Sequence, residues 1–105
     1  MLRGASTTSY TFRGASTTYI VWYIIFMYYV YILKSVKDNS YYYGSTGNLK
    51  NRLSDHNSGK VTYTSGHRPY KLIWYCGFTD KSKALVFEKY LKSSSGHAFA
   101  KKRFI

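Results

Sequence analysis

The sequence predicts a small α+β domain, a three-stranded antiparallel sheet flanked by helices in the order β-β-α-β-α-α. Three observations lead there. Runs rich in aromatic and β-branched residues recur at Tyr28–Lys34, Ser40–Ser45 and Lys71–Cys76, as half-buried or buried strands require. The first two are separated by only a short turn and therefore pair as a hairpin. Helical spacing with start and stop residues takes over after each of the later turns. The chain has 105 residues, enough for one domain, and 45% are hydrophobic, which excludes wholesale disorder.

Residues 1–26 stand apart from this plan. Arg3 to Thr8 reads RGASTT, and Arg13 to Thr18 repeats it; two short copies do not make a solenoid. An apolar run follows from Tyr19 to Leu33, shorter than the roughly 20 residues that span a bilayer. Lys34 follows it, where a signal peptide would carry small cleavage-site residues. These features argue against a membrane anchor. The expectation is a domain at 27–105 starting at Met27, preceded by a disordered extension or a mis-assigned start. The single Cys76 excludes a disulfide framework and a cysteine-rich zinc site, and fits a reducing cytoplasm.

Within the domain, Tyr28–Lys34 reads as a strand buried on both faces, and Lys37-Asp38-Asn39 as the turn into the second strand. Gly47-Asn48 introduces a helix over about Leu49–His56, which Asn57-Ser58-Gly59 stops. Residues 60–70 read as a loop carrying the only proline, Pro69, before the third strand. Asp80 caps a helix over Lys81–Lys92. Ser93 to Gly96 reads as a break, and His97–Arg103 as a short basic helix with His97 solvated at its start.

Sixteen Lys and Arg face four Asp and Glu, a net charge of +12. From Met27 onward 14 basic residues still face four acidic ones, so the surplus belongs to the domain. The basic residues are scattered along the chain in small groups, a pattern suited to a folded surface tracking a polyanion. Nucleic acid is the expected partner, and an anionic membrane the second candidate.

Helical phase singles out three polar residues. At roughly 100° per residue, Arg52 and His56 fall at the edge of the stripe formed by Leu49 and Leu53. Glu88, the only glutamate, falls inside the apolar arc of Ala84, Phe87 and Leu91. A buried carboxylate needs a cation or a metal. Helix geometry leaves open an ion pair with Arg52 or a lysine, a metal, and a solvated edge position.

MYYVYILKS (Met27–Ser35), SYYYGSTGNLKNRLSDHNSG (Ser40–Gly59) and ALVFEKYLKS (Ala84–Ser93) together resemble the GIY-YIG nuclease superfamily. The likeness is to its small single-domain bacterial branch, related to the N-terminal nuclease of the excinuclease C subunit. Tyr29-Val30-Tyr31 stands at the GIY position and Tyr42-Tyr43-Gly44 at the YIG position, with ten residues between Tyr31 and Tyr42. The chain departs from the pattern at Tyr29, in place of glycine, and at Ser45, where the excinuclease relatives carry a lysine.

The resemblance implies a metal-dependent endonuclease acting on nucleic acid, with DNA favoured over RNA, in repair or processing, with no small-molecule cofactor. It implies that Glu88 holds one Mg²⁺ or Mn²⁺, and that a tyrosine is the base, Tyr42 being the one proposed, with the choice between Tyr42 and Tyr31 left open by the sequence. An ordinary Tyr titrates near about 10, so cations such as Arg52, the metal and His56 must favour the phenolate. By the same resemblance Arg52 grips the transition-state phosphate, Tyr31 orients water or phosphate, and Gly44 permits a close backbone approach. Lys60, His67 and Arg68, with Lys101, Lys102 and Arg103, are expected to hold the phosphate backbone. Tyr63 and Tyr70 are candidates to stack on bases. The competing expectation, motivated by Tyr29 and Ser45, is a non-catalytic nucleic-acid-binding module of the same fold.

Overall fold

A computed structural model describes residues 27–105. The stretch 1–26, with the repeat and the expected extension, lies outside the described residues. Strand β1 (Tyr28–Ser35) turns through Asn39, at a φ of 63°, into β2 (Tyr41–Thr46). Helix α1 (Leu49–Ser58) follows, then a 3₁₀ helix (Thr62–His67), β3 (Tyr70–Phe78), α2 (Lys81–Leu91) and α3 (Ser94–Arg103). The sheet is antiparallel with order β2-β1-β3, so β1 is central and β2 is an open edge.

The middle of β1 is sealed on both faces, as its unbroken apolar run anticipates: Val30, Tyr31, Ile32 and Leu33 are all buried. Val30 and Ile32 join Tyr43, Ala84, Leu91 and Ala100 in a core that α2 and α3 cover. Tyr31 and Leu33 face the other way, with Tyr42, Leu49, Leu53 and Tyr70, under α1. Between Ile32 and Leu33 the register with β3 slips: Ile32 pairs with Trp74 and Leu33 with Leu72. The extra residue, Ile73, lets Leu72 and Tyr75 pack on the same face although they are three apart.

The caps follow the sequence. The Asn48 side chain accepts from the Asn51 N–H at 3.1 Å, Asp80 accepts from Ser82 at 2.9 Å, and Gly59 ends α1 in the left-handed region at φ 85°.

Two readings are corrected. The expected loop 60–70 contains the 3₁₀ helix, which has no helical period to announce it. The expected break at Ser93–Gly96 is instead the start of α3. Ser93 is its N-cap, accepting from the Gly96 N–H at 3.1 Å, so a serine run that reads as a breaker works as a cap. Among the described residues no helix is long and apolar enough to cross a membrane.

Candidate active site

The site forms around the edge of β2, where the two faces of the sheet meet. Alternation sends Tyr42 to the α1 face and Tyr41 and Tyr43 to the other. Gly44 lies opposite Tyr31 in the hairpin. A Cβ at Gly44 would collide with the Tyr31 ring and hydroxyl, so the glycine makes room for that phenol.

On the α1 side a chain of hydrogen bonds runs inward. The Tyr31 hydroxyl and His56 Nε2 are 2.9 Å apart, His56 Nδ1 and Thr64 Oγ1 are 2.7 Å apart, and the Thr64 hydroxyl donates to the Val61 carbonyl at 3.3 Å. Each imidazole nitrogen thus has a hydrogen-bond partner, Tyr31 at Nε2 and Thr64 at Nδ1. His56 is 0% exposed. Burial first, and then the Arg52 guanidinium, hold its imidazole down at about 4. His56 is therefore neutral near pH 7 and is not one of the cations expected beside the base.

Burial pushes the Tyr31 phenol up to about 12, although Arg52 works against that rise as a cation and hydrogen-bond donor. The Tyr42 ring lies 4.8 Å from His56 and 6.3 Å from Tyr31, between the buried chain and solvent. The end of α1 is fastened to β3 by one side chain. Asn57 donates to the Tyr70 carbonyl at 3.1 Å and accepts from the Tyr70 N–H at 2.7 Å.

On the other side Glu88, from α2, reaches the same edge. Ser45 donates to Glu88 Oε1, and Lys92 Nζ lies 2.7 Å from Oε2, one helical turn along. Among the open readings for Glu88, an ion pair with a lysine is formed by Lys92. Lys92 also stands 5.9 Å from the Tyr42 ring centre, so a cation from α2 lies beside that phenol while position 45 is a serine. Arg52 is half-buried and close enough to Tyr31 and Tyr42 that both phenols raise its pKa. Tyr31, Tyr42, Arg52, His56 and Glu88 thus belong to one constellation.

The expected backbone-gripping residues form two groups. Lys60, His67 and Arg68 are exposed beside α1 and the 3₁₀ helix: Lys60 lies 3.9 Å from Asp55, His67 is 2.6 Å from Asp38, and Arg68 donates to the Ser65 carbonyl. Lys101, Lys102 and Arg103 are exposed on α3, which covers the opposite face.

Of the two stacking candidates, Tyr63 is 81% exposed, whereas Tyr70 is buried against His56 and is core. His97 is not a solvated helix-start residue: it is half-buried, and Nδ1 bonds the Tyr43 hydroxyl. Sequence reasoning missed Thr64 and did not specify Lys92. Only the second had a signal, its i,i+4 spacing from Glu88.

Two phenols, an arginine, a histidine and a glutamate thus gather around a β-hairpin edge. The family model described as "GIY-YIG catalytic domain" matches residues 27–103, and the chain belongs to that family. It is 45% identical over 65 residues to a UPF0213 protein of Streptococcus pneumoniae serotype 4, covering 61% of this chain and 65% of that one, just under two thirds of the relative's length. It is 42% identical over 85 residues to the UPF0213 protein of Lactiplantibacillus plantarum, covering 78% of each. A UPF0213 protein of Bacillus halodurans with a solution NMR structure is 33% identical, with a TM-score of 0.48 over 74% of this chain and 86% of that one.

Proposed function

We propose that this protein is a divalent-metal-dependent endonuclease that hydrolyses phosphodiester bonds in DNA, selecting its target by structure, in repair or processing in the cytoplasm. The observation that carries the reading is the meeting of Tyr31, Tyr42, Arg52 and His56 from one face of the sheet with Glu88 from the other, at a solvent-accessible edge.

The donor set at Glu88 fits one hard cation, Mg²⁺ or Mn²⁺. Its carboxylate keeps lone pairs beyond those engaged by Ser45 and Lys92. Among the described residues no group of three or more His, Cys, Asp or Glu could cage an ion. That combination suits a cation bound through a single carboxylate, waters and substrate phosphate. Such an ion supplies Lewis acidity at the phosphate when bound.

The protein's own groups do the rest. Arg52 presents a planar fork to the phosphate as negative charge accumulates on it. In its phenolate form Tyr42 takes the proton of the attacking water and becomes the neutral phenol, flanked by the cations Arg52 and Lys92. Tyr31 keeps its proton at neutral pH, since burial pushes its phenol up to about 12, and it acts as a fixed hydrogen-bonding group aligned by His56. Thr64 holds the imidazole from its other nitrogen, Nδ1.

The test is an Mg²⁺-dependent nicking assay on single-stranded, branched and duplex DNA. Glu88→Ala and Tyr42→Phe are expected to lose cutting while retaining binding. Persistent cutting by Glu88→Ala in the presence of chelator would overturn the proposal. A second reading, a nucleic-acid-binding module that does not cut, is favoured by one contact: Lys92 occupies the carboxylate that a metal must reach. Binding without Mg²⁺-dependent nicking by the unaltered chain would select it.

A further inference from the structure

A groove of about 780 Å³ runs around the open edge of β2, lined by Tyr41, Tyr42, Tyr43, Tyr63, Lys92 and His97. Its volume lies within the roughly 300–1,000 Å³ of pockets that hold small organic groups. Tyr42 belongs to one face of the sheet and Tyr41 and Tyr43 to the other, so the groove crosses from the catalytic side to the back of the hairpin.

Its chemistry is one-sided. Four phenol rings, one ammonium and one imidazole line it, with no acidic side chain, in a chain of net charge +12. At the catalytic end Tyr63 projects from the 3₁₀ helix, 81% exposed, with its ring centre 6.0 Å from that of Tyr42. The core makes no use of that ring. At the far end His97 packs its ring 6.1 Å from Tyr41 and is oriented by its bond to the Tyr43 hydroxyl. Aromatic faces at both ends of a groove that carries an ammonium, Lys92, are what a strand with unstacked bases requires, because every base has a π-face and every link a negative phosphate.

We propose that this groove binds a short unpaired stretch of the nucleic-acid strand beside the scissile phosphate, with one base stacked on Tyr63 and the backbone passing Lys92 towards Tyr41 and His97. The placement beside the scissile phosphate rests on the nuclease reading; recognition of unpaired bases by the groove does not. Tyr63, Tyr41 and His97 are then binding residues distinct from the cutting set.

The experiment uses the full chain carrying Glu88→Ala, so that probes survive. Two single-stranded probes of equal length and charge are compared by fluorescence anisotropy: oligothymidylate, and an abasic strand with the same phosphates and no bases. The parent is expected to bind oligothymidylate about tenfold or more tightly than the abasic strand, the range that stacking produces. Tyr63→Ala is expected to cut that ratio severalfold while leaving abasic binding nearly unchanged, and Tyr41→Ala to act in the same direction. Equal binding of the two probes by the parent, or a ratio untouched by Tyr63→Ala, overturns the proposal. Tyr63 is too exposed for its removal to unfold the protein, so that variant decides the matter even if Tyr41→Ala does not fold. Base preference without Mg²⁺-dependent nicking by the unaltered chain would remove the nuclease reading and keep the groove; nicking without base preference would do the reverse.

Discussion

The two sides of the β2 edge solve different problems. On the α1 side, Tyr31, His56 and Thr64 form a buried chain in which each polar atom has a partner and no member carries charge at neutral pH. On the α2 side, Glu88 and Lys92 form an ion pair whose side chains keep 18% and 49% of their exposure. The buried half cannot exchange partners without leaving polar atoms unsatisfied, so it fixes geometry. The wetter half can release one partner for another at little cost, so it is suited to ligands that come and go. Orientation and capture are divided between layers that meet beside Tyr42.

The largest break in that division is expected at Glu88. Glu88→Gln keeps the shape and removes the charge, and Mg²⁺-dependent nicking should fall by on the order of 10³-fold with DNA affinity altered only a few-fold. Time courses on labelled DNA, alongside binding in chelator, check this. A loss of binding equal to the loss of cutting would mean that the wet half serves affinity instead.

His56→Ala tests the sealed half. It leaves a cavity and strips partners from Tyr31 and Thr64, so unfolding free energy should drop by about 3 kcal/mol in urea titrations. A change below about 1 kcal/mol would show that the chain is not the rigid element described.

Acid sharpens the contrast. The imidazole of His56 sits at about 4 in the folded protein, against about 6.5 when unfolded. Between those values the unfolded chain binds the extra proton, so stability rises with pH and is lost as pH falls from about 6.5 towards 4. The loss should approach ~2–3 kcal/mol at the acid end of that window. Denaturant titrations at several pH values measure the slope, and His56→Gln should flatten it.

The smallest effect is expected at Lys92. Its pair is half exposed, so Lys92→Met should change stability by less than about 1 kcal/mol in thermal unfolding. A larger loss would move Glu88 and Lys92 into the structural half of the molecule.

Much of this was legible in the sequence, and the limits have physical causes. The hairpin, the buried central strand and the caps at Asn48 and Asp80 follow from local composition, and local hydrogen bonds realise them. Arg52, His56 and Glu88 stood out because helical periodicity put polar groups where apolar ones belong. Thr64 did not, because its burial depends on a 3₁₀ turn folding against α1, and a six-residue segment carries no usable period. His97 was misjudged because Ser93–Gly96 reads as a breaker until a serine is seen capping the next helix. The neutrality of His56 was also out of reach, since depth of burial is a property of the assembled layers.

The side-chain amide of Asn57 behaves like a peptide unit inserted between a helix and a strand, giving one bond and taking one from the same Tyr70 backbone. An amide has no proton to gain or lose across ordinary pH. Acid that charges the neighbouring imidazole therefore leaves this fastening intact, and the helix has a reason to stay moored while the ring it carries changes state. Acid inactivation should then be reversible well before the chain comes apart.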